Sequence, residues 1–96
     1  PEGFSFHALS GGEAFPMGST VPAGSQLVFQ SPVEVRFRLL RSGSEYRILE
    51  GRRFILDALE PGAYRLEVYL LNPPALVRGK PWILSNPIYV EAGESS

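Results

Sequence analysis

The chain reads as a succession of short apolar alternations separated by turn residues. At its start Phe4 and Phe6 alternate with Ser5 and His7, the period-two pattern of a half-buried strand. Ser10-Gly11-Gly12 then forms a turn. Residues 13–21 contain Pro16 and Gly18 and predict an edge strand, or one with a bulge, because proline cannot donate to a ladder. After the turn Pro22-Ala23-Gly24-Ser25, residues 26–30 predict a short buried strand with Leu27 and Phe29 on one face. Residues 33–41 alternate most cleanly. Val33, Val35, Phe37 and Leu39 face one way, and Glu34, Arg36 and Arg38 the other, as in a sheet with one dry and one wet face. Ser42-Gly43-Ser44 predicts a hairpin turn. Residues 45–50 set Tyr46 and Ile48 on one face, and Gly51 interrupts them. Residues 52–59 set Phe54, Leu56 and Ala58 against Arg53, Ile55 and Asp57. Residues 63–71 put Tyr64, Leu66, Val68 and Leu70 opposite Arg65 and Glu67. A loop built on Pro73-Pro74 and Gly79 follows, then a last strand over 82–90 and a polar, frayed tail over 91–96.

Seven or eight short, mostly antiparallel strands at near-regular spacing predict an all-β sandwich or barrel. One stretch favours the sandwich. Leu59-Glu60-Pro61-Gly62-Ala63-Tyr64 resembles the corner of immunoglobulin-like and fibronectin-III-like domains, where a tyrosine hydrogen-bonds back to the corner's own backbone. Pro61 sets φ, Gly62 permits φ > 0, and Tyr64 buries its ring while satisfying its hydroxyl locally.

At 96 residues the chain is one domain's worth, residues 1–96, with a single core. It holds no cysteine, which excludes disulfides and thiolate metal sites. A formal net charge of -1 gives no field that would recruit nucleic acid. No stretch approaches the ~20 apolar residues of a membrane span. The chain begins at Pro1 rather than methionine, so it is expected to be a fragment of a longer polypeptide.

Candidate chemistry is thin. His7 is the only histidine and has no neighbouring ligand, where a zinc site needs several. The carboxylates mostly alternate with apolar residues, as outward solubilising charges do. No G-x-S-x-G elbow or phosphate loop is present. Arg36, Arg38 and Arg41 are interleaved with Glu34, Glu45 and Glu50, which predicts cross-strand ion pairs rather than a basic stripe. Trp82 is the only tryptophan, and three uses remain open for it: core packing, a domain interface, or a sugar-stacking platform.

The segment Pro81-Trp82-Ile83-Leu84-Ser85-Asn86-Pro87-Ile88-Tyr89-Val90 is the most distinctive in the chain. It resembles the closing strand of the β-sandwich that ends bacterial proteins with an N-terminal PHP (polymerase and histidinol phosphatase) metal-dependent phosphoesterase domain. Gly3-Phe4-Ser5-Phe6 and Pro61-Gly62-Ala63-Tyr64-Arg65-Leu66-Glu67-Val68 resemble two further strands of that domain, and Val35-Arg36-Phe37-Arg38-Leu39-Leu40-Arg41-Ser42-Gly43 matches its central hairpin more loosely. The resemblance implies a non-catalytic C-terminal accessory domain that packs in cis on the PHP domain. Divalent metals and catalytic residues would then belong to that other domain, and no catalytic, metal or cofactor residue carries over to this chain. The alternative is an independent Ig-like module binding carbohydrate or protein. Polar Ser85-Asn86 inside an apolar strand marks Phe4, Phe6, Trp82, Ser85 and Asn86 as candidate interdomain contacts, beside a structural bulge as the other account of the same residues. Pro61, Gly62 and Tyr64 are the structural corner. A bare edge strand would also permit a weak or crystal dimer.

Overall fold

A computed structural model describes residues 3–92. Eight strands form it: β1 (Ser5–Ser10), β2 (Glu13–Pro16), β3 (Thr20–Pro22), β4 (Ser25–Arg41), β5 (Ser44–Ala58), β6 (Gly62–Leu70), β7 (Ile83–Leu84) and β8 (Ile88–Glu91). The only helical piece among the described residues is one 3-10 turn, Ala75–Val77. The fold is all-β and mostly antiparallel, a sheet curled into a near-closed sandwich or barrel.

The strand order is β2-β1-β4-β6-β8-β3, with β5 beside β4 and β7 beside β6. β4 organises this arrangement. Its first half pairs with β1, its second half pairs with β6, and β5 accompanies it along both halves. A straight strand of 17 residues spans roughly 55 Å, and the molecule's longest dimension is 53 Å. β3 pairs parallel to β8 and also touches β1, which brings the two ends of the sheet together.

Two strands therefore run where four shorter ones were expected. The interruptions at Ser31-Pro32 and Gly51 bend the hairpin without ending it. Register passes from Gln30↔Arg53 to Val35↔Gly51, so residues 31–34 oppose Arg52 alone. Pro32 has no N–H to lose, and its carbonyl accepts a hydrogen bond from Arg52 Nη2 at 2.8 Å. Ser31 turns inward and Val33 turns out, 47% exposed, against the expectation that Val33 shares the core face. A second irregularity leaves Tyr46 unpaired between Leu39↔Arg47 and Leu40↔Glu45. The extra residue reverses the alternation, so Tyr46 and Leu49 pack on the core while Ile48 is exposed. The hairpin closes through Ser42 and Gly43, both at positive φ (49° and 85°), the pattern of a two-residue primed turn.

The core is aromatic at its centre. Phe29 is fully buried and meets Phe37 at 4.9 Å, Phe54 at 5.8 Å and Phe6 at 6.3 Å between ring centroids. Val35, Leu39, Leu66, Val68 and Ile88 extend it along the sheet. At the corner, the buried Tyr64 donates its hydroxyl to the Glu60 carbonyl at 2.6 Å, and its ring meets Tyr46 edge-on. Burial raises the Tyr64 phenol above its usual pKa. Gly62 has φ 150°, and a Cβ there would lie 2.8 Å from Ser42 Oγ, so the corner needs glycine.

The segment expected as one edge strand over 13–21 divides in two. β2 pairs with β1 at one edge of the sheet, and β3 crosses to β8 at the other. Pro16 ends the first piece, and Gly18, at φ 91°, turns the chain and donates its N–H to the Pro87 carbonyl at 2.7 Å. The expected tail also begins later than residue 91. Glu91 belongs to β8 opposite Pro22, Ala92 is the last described residue, and residues 93–96 lie outside the described ones.

Candidate docking surface

The closing segment is two strands rather than one. β7 pairs with β6 at Val68↔Ile83, β8 pairs with it at Tyr64↔Ile88, and Ser85-Asn86-Pro87 interrupts them. Pro87 explains the interruption, since it cannot supply a ladder donor. Ser85 repairs it. Its N–H donates to the Leu66 carbonyl at 2.9 Å, and its Oγ accepts the Leu66 N–H at 2.7 Å. Every described peptide bond is trans, including Asn86-Pro87.

These contacts sort the candidate interdomain residues. Phe6 is 3% exposed with its ring against Phe29, so it belongs to the core. Ser85 is buried, and its hydroxyl is already used by Leu66. Both side chains face inward in this chain. Phe4 and Trp82 are half-buried against the core, and Asn86 is exposed.

The loop between β6 and β7 supplies a surface that the strand pattern did not single out. Its backbone is well tied. Val77 N–H donates to the Pro74 carbonyl at 3.0 Å, Lys80 N–H to Val77 at 3.1 Å, and Trp82 N–H returns to the sheet at Val68 at 2.7 Å. Gly79, at φ 81°, makes the reversal before Lys80. Its side chains nonetheless point outward. Leu76 is 91% exposed, Leu84 67%, and Val77 and Leu71 are exposed as well. Beside them Leu70, Pro73, Pro74, Val77, Lys80, Pro81 and Trp82 enclose a groove of about 350 Å³. The signal in the sequence was Ala75-Leu76-Val77, an apolar run inside a proline-rich loop with no strand to carry it.

The three arginines of β4 are ion-paired. On the outer face of β4, β5 and β6, Arg36 pairs with Glu50 at 2.8 Å, and Arg38 pairs with both Glu45 at 3.0 Å and Glu67 at 2.9 Å. Arg41 pairs with Glu60 at 3.0 Å. Tyr69 donates its hydroxyl to Glu67 at 2.8 Å, and that bond raises the phenol's pKa. Burial pushes the Glu67 carboxyl up, but the hydrogen bonds from Tyr69 and Arg38 outweigh it and hold the group below its usual pKa. A folded pKa below the unfolded value, ordinarily about 4.3, adds stability above that pH, and the contribution disappears as pH falls through the folded value. Glu67→Gln is therefore expected to lower stability by up to about 1 kcal/mol near neutral pH, with the difference from the parent chain shrinking as pH falls below the ordinary glutamate range and lost once it has passed the folded value. Thermal unfolding measured across pH checks this, and a difference that grows toward acid would contradict it.

A second depression, of about 570 Å³, lies between the β1–β2 turn and the β3–β4 turn with Asp57 at its side. It has one carboxylate and no histidine. Among the described residues no group of three His, Cys, Asp or Glu side chains could hold a metal ion. No helix is long and apolar enough to cross a membrane. No family model, characterised protein or solved structure matches the chain.

Proposed function

We propose that this chain is a non-catalytic accessory domain that packs on a neighbouring catalytic domain through the β6–β7 loop and β7. The single observation that carries the reading is the concentration of exposed apolar side chains at the β6–β7 loop and β7. Leu71, Leu76 and Val77 are exposed in the loop beside the groove that Val77 and Trp82 line, and Leu84 is exposed in β7, where it lies opposite Glu67. Exposed apolar side chains grouped around a groove mark a surface that is covered in use. A hydrogen-bonded loop holding those side chains outward has no role in its own core. The resemblance of the closing strand to the terminal sandwich of PHP-type phosphoesterases names the neighbour: a metal-dependent phosphoesterase domain in the same polypeptide, carrying the metals and the chemistry.

The test is hydrogen exchange on the polypeptide that contains this chain together with the sequence preceding Pro1. Amides of residues 70–84 are expected to exchange more slowly there than in the 96-residue chain alone. Equal exchange in both would overturn the docking. Metal-dependent phosphoester turnover by the longer polypeptide, and none by this chain, is expected alongside. Turnover by this chain alone would overturn its accessory role.

A further inference from the structure

The one charged side chain in the groove wall is cationic, Lys80, and Arg78 stands two residues before it in the chain. Between Glu67 and Glu91 the sequence contains no carboxylate, and Arg78 and Lys80 both lie in that interval. Among the described residues neither has an ion-pair partner, a state they share with Arg47, Arg52, Arg53 and Arg65. Lys80, the only lysine in the chain, forms part of the groove wall.

The rest of the wall is rigid and apolar. Pro73, Pro74 and Pro81 have fixed φ, and Trp82 is held by its backbone bond to Val68. Such a wall loses little freedom when something binds, so little affinity is spent on ordering it. Its volume of about 350 Å³ accommodates one or two bulky side chains. A second copy docking by the same face would set cations against cations. A lipid surface would be drawn by the charge, but has no use for a concavity. A protruding side chain needs one.

We propose that the groove binds a polypeptide segment in which a bulky apolar side chain is flanked by carboxylates. The apolar group enters between Trp82 and the prolines, and the carboxylates meet Lys80 and Arg78. This rests on the reading of the chain as an accessory domain and states the chemistry its neighbour must present.

Because Trp82 is the only tryptophan, its emission reports on the groove directly. The 96-residue chain is titrated with three probes: a capped Glu-Glu-Leu-Phe-Glu-Glu peptide, the same peptide with lysine for each glutamate, and phosphatidylcholine vesicles containing about one third phosphatidylglycerol. The acidic peptide is expected to give a saturable change that weakens at high salt. The lysine peptide is expected to bind about fivefold more weakly or worse, since like charges meet at the rim. The double variant R78E/K80E is expected to bind the acidic peptide about tenfold more weakly, with unchanged thermal unfolding because both side chains are exposed. Equal binding of the two peptides, no saturable change, indifference to R78E/K80E, or a response to vesicles but not to peptide would each overturn the proposal. Hydrogen exchange in the longer polypeptide separates the two failures. Protection of residues 70–84 without acidic-peptide binding leaves the docking standing and removes only this account of its partner.

Discussion

Replacing Phe29 with alanine is expected to lower the unfolding free energy by about 3–5 kcal/mol, the range for a buried phenylalanine cut to a methyl group. Several features place it at the upper end. Phe29 is fully buried, and its ring touches Phe6, Phe37 and Phe54. Those three rings come from β1, β4 and β5, so the cavity would open where the two halves of the long hairpin meet. Backbone on both sides is held by ladders, with Phe6↔Phe29 on one flank and Phe29↔Phe54 on the other, so the site cannot collapse inward. Domains of this size hold about 5–15 kcal/mol in total, and F29A should leave the chain close to its folding limit. Urea unfolding followed by far-UV circular dichroism measures the loss. A change under about 1.5 kcal/mol would mean that the four rings are not the centre of the core.

Much of this architecture was legible because a strand's alternation survives even where its boundaries do not. Phe37, Leu39, Phe54, Leu56, Tyr64, Leu66 and Val68 all take the core side that period two assigns them. The errors fall at bulges. Val33 and Ile48 each lie beside an extra residue that one strand inserts opposite its partner, and such a residue is invisible to a pattern read along one strand alone. Pro32 sits at a bulge, and Gly51, which interrupts the alternation, still pairs with Val35. In a hairpin this long, ladder on both sides of the bend outweighs the local interruption. The crossing of residues 13–22 from β1 to β8 was hidden for a related reason, since partner choice is a property of the whole sheet.

The candidate surface was legible only in part. Trp82 stood out as the lone tryptophan, but the residues grouped with it were chosen by their place in a motif. Phe6 and Ser85 turn out to serve the inside. A serine in an apolar strand signals either a polar contact outward or a backbone group inward that lacks its ladder partner, and the sequence does not distinguish the two. Leu76, Val77 and Lys80 carry no signal in the alternation, because a loop rich in proline reads as connection. What marks them is the combination of a backbone fixed by its own hydrogen bonds and apolar side chains left outside, which requires coordinates.

Ser85→Ala separates those two accounts of the closing segment. If Ser85 served only a neighbouring domain, its replacement would cost the isolated chain almost nothing. The Leu66 N–H donates to Ser85 Oγ at 2.7 Å in a buried setting. Alanine would strand that N–H without a partner, for which the cost is about 1–3 kcal/mol. For a domain of this length the melting temperature should fall by roughly 4–8 °C for each kcal/mol. The Leu66 amide should also lose protection from hydrogen exchange, because its donor is released while the Ser85 N–H still holds the Leu66 carbonyl. Ser85→Thr, which keeps the hydroxyl, should retain the protection even if its extra methyl lowers stability. Should S85A instead melt with the parent chain and leave the Leu66 amide protected, the break between β7 and β8 is not held by this serine. The closing segment would then owe its shape to Pro87 and the β3 contact alone.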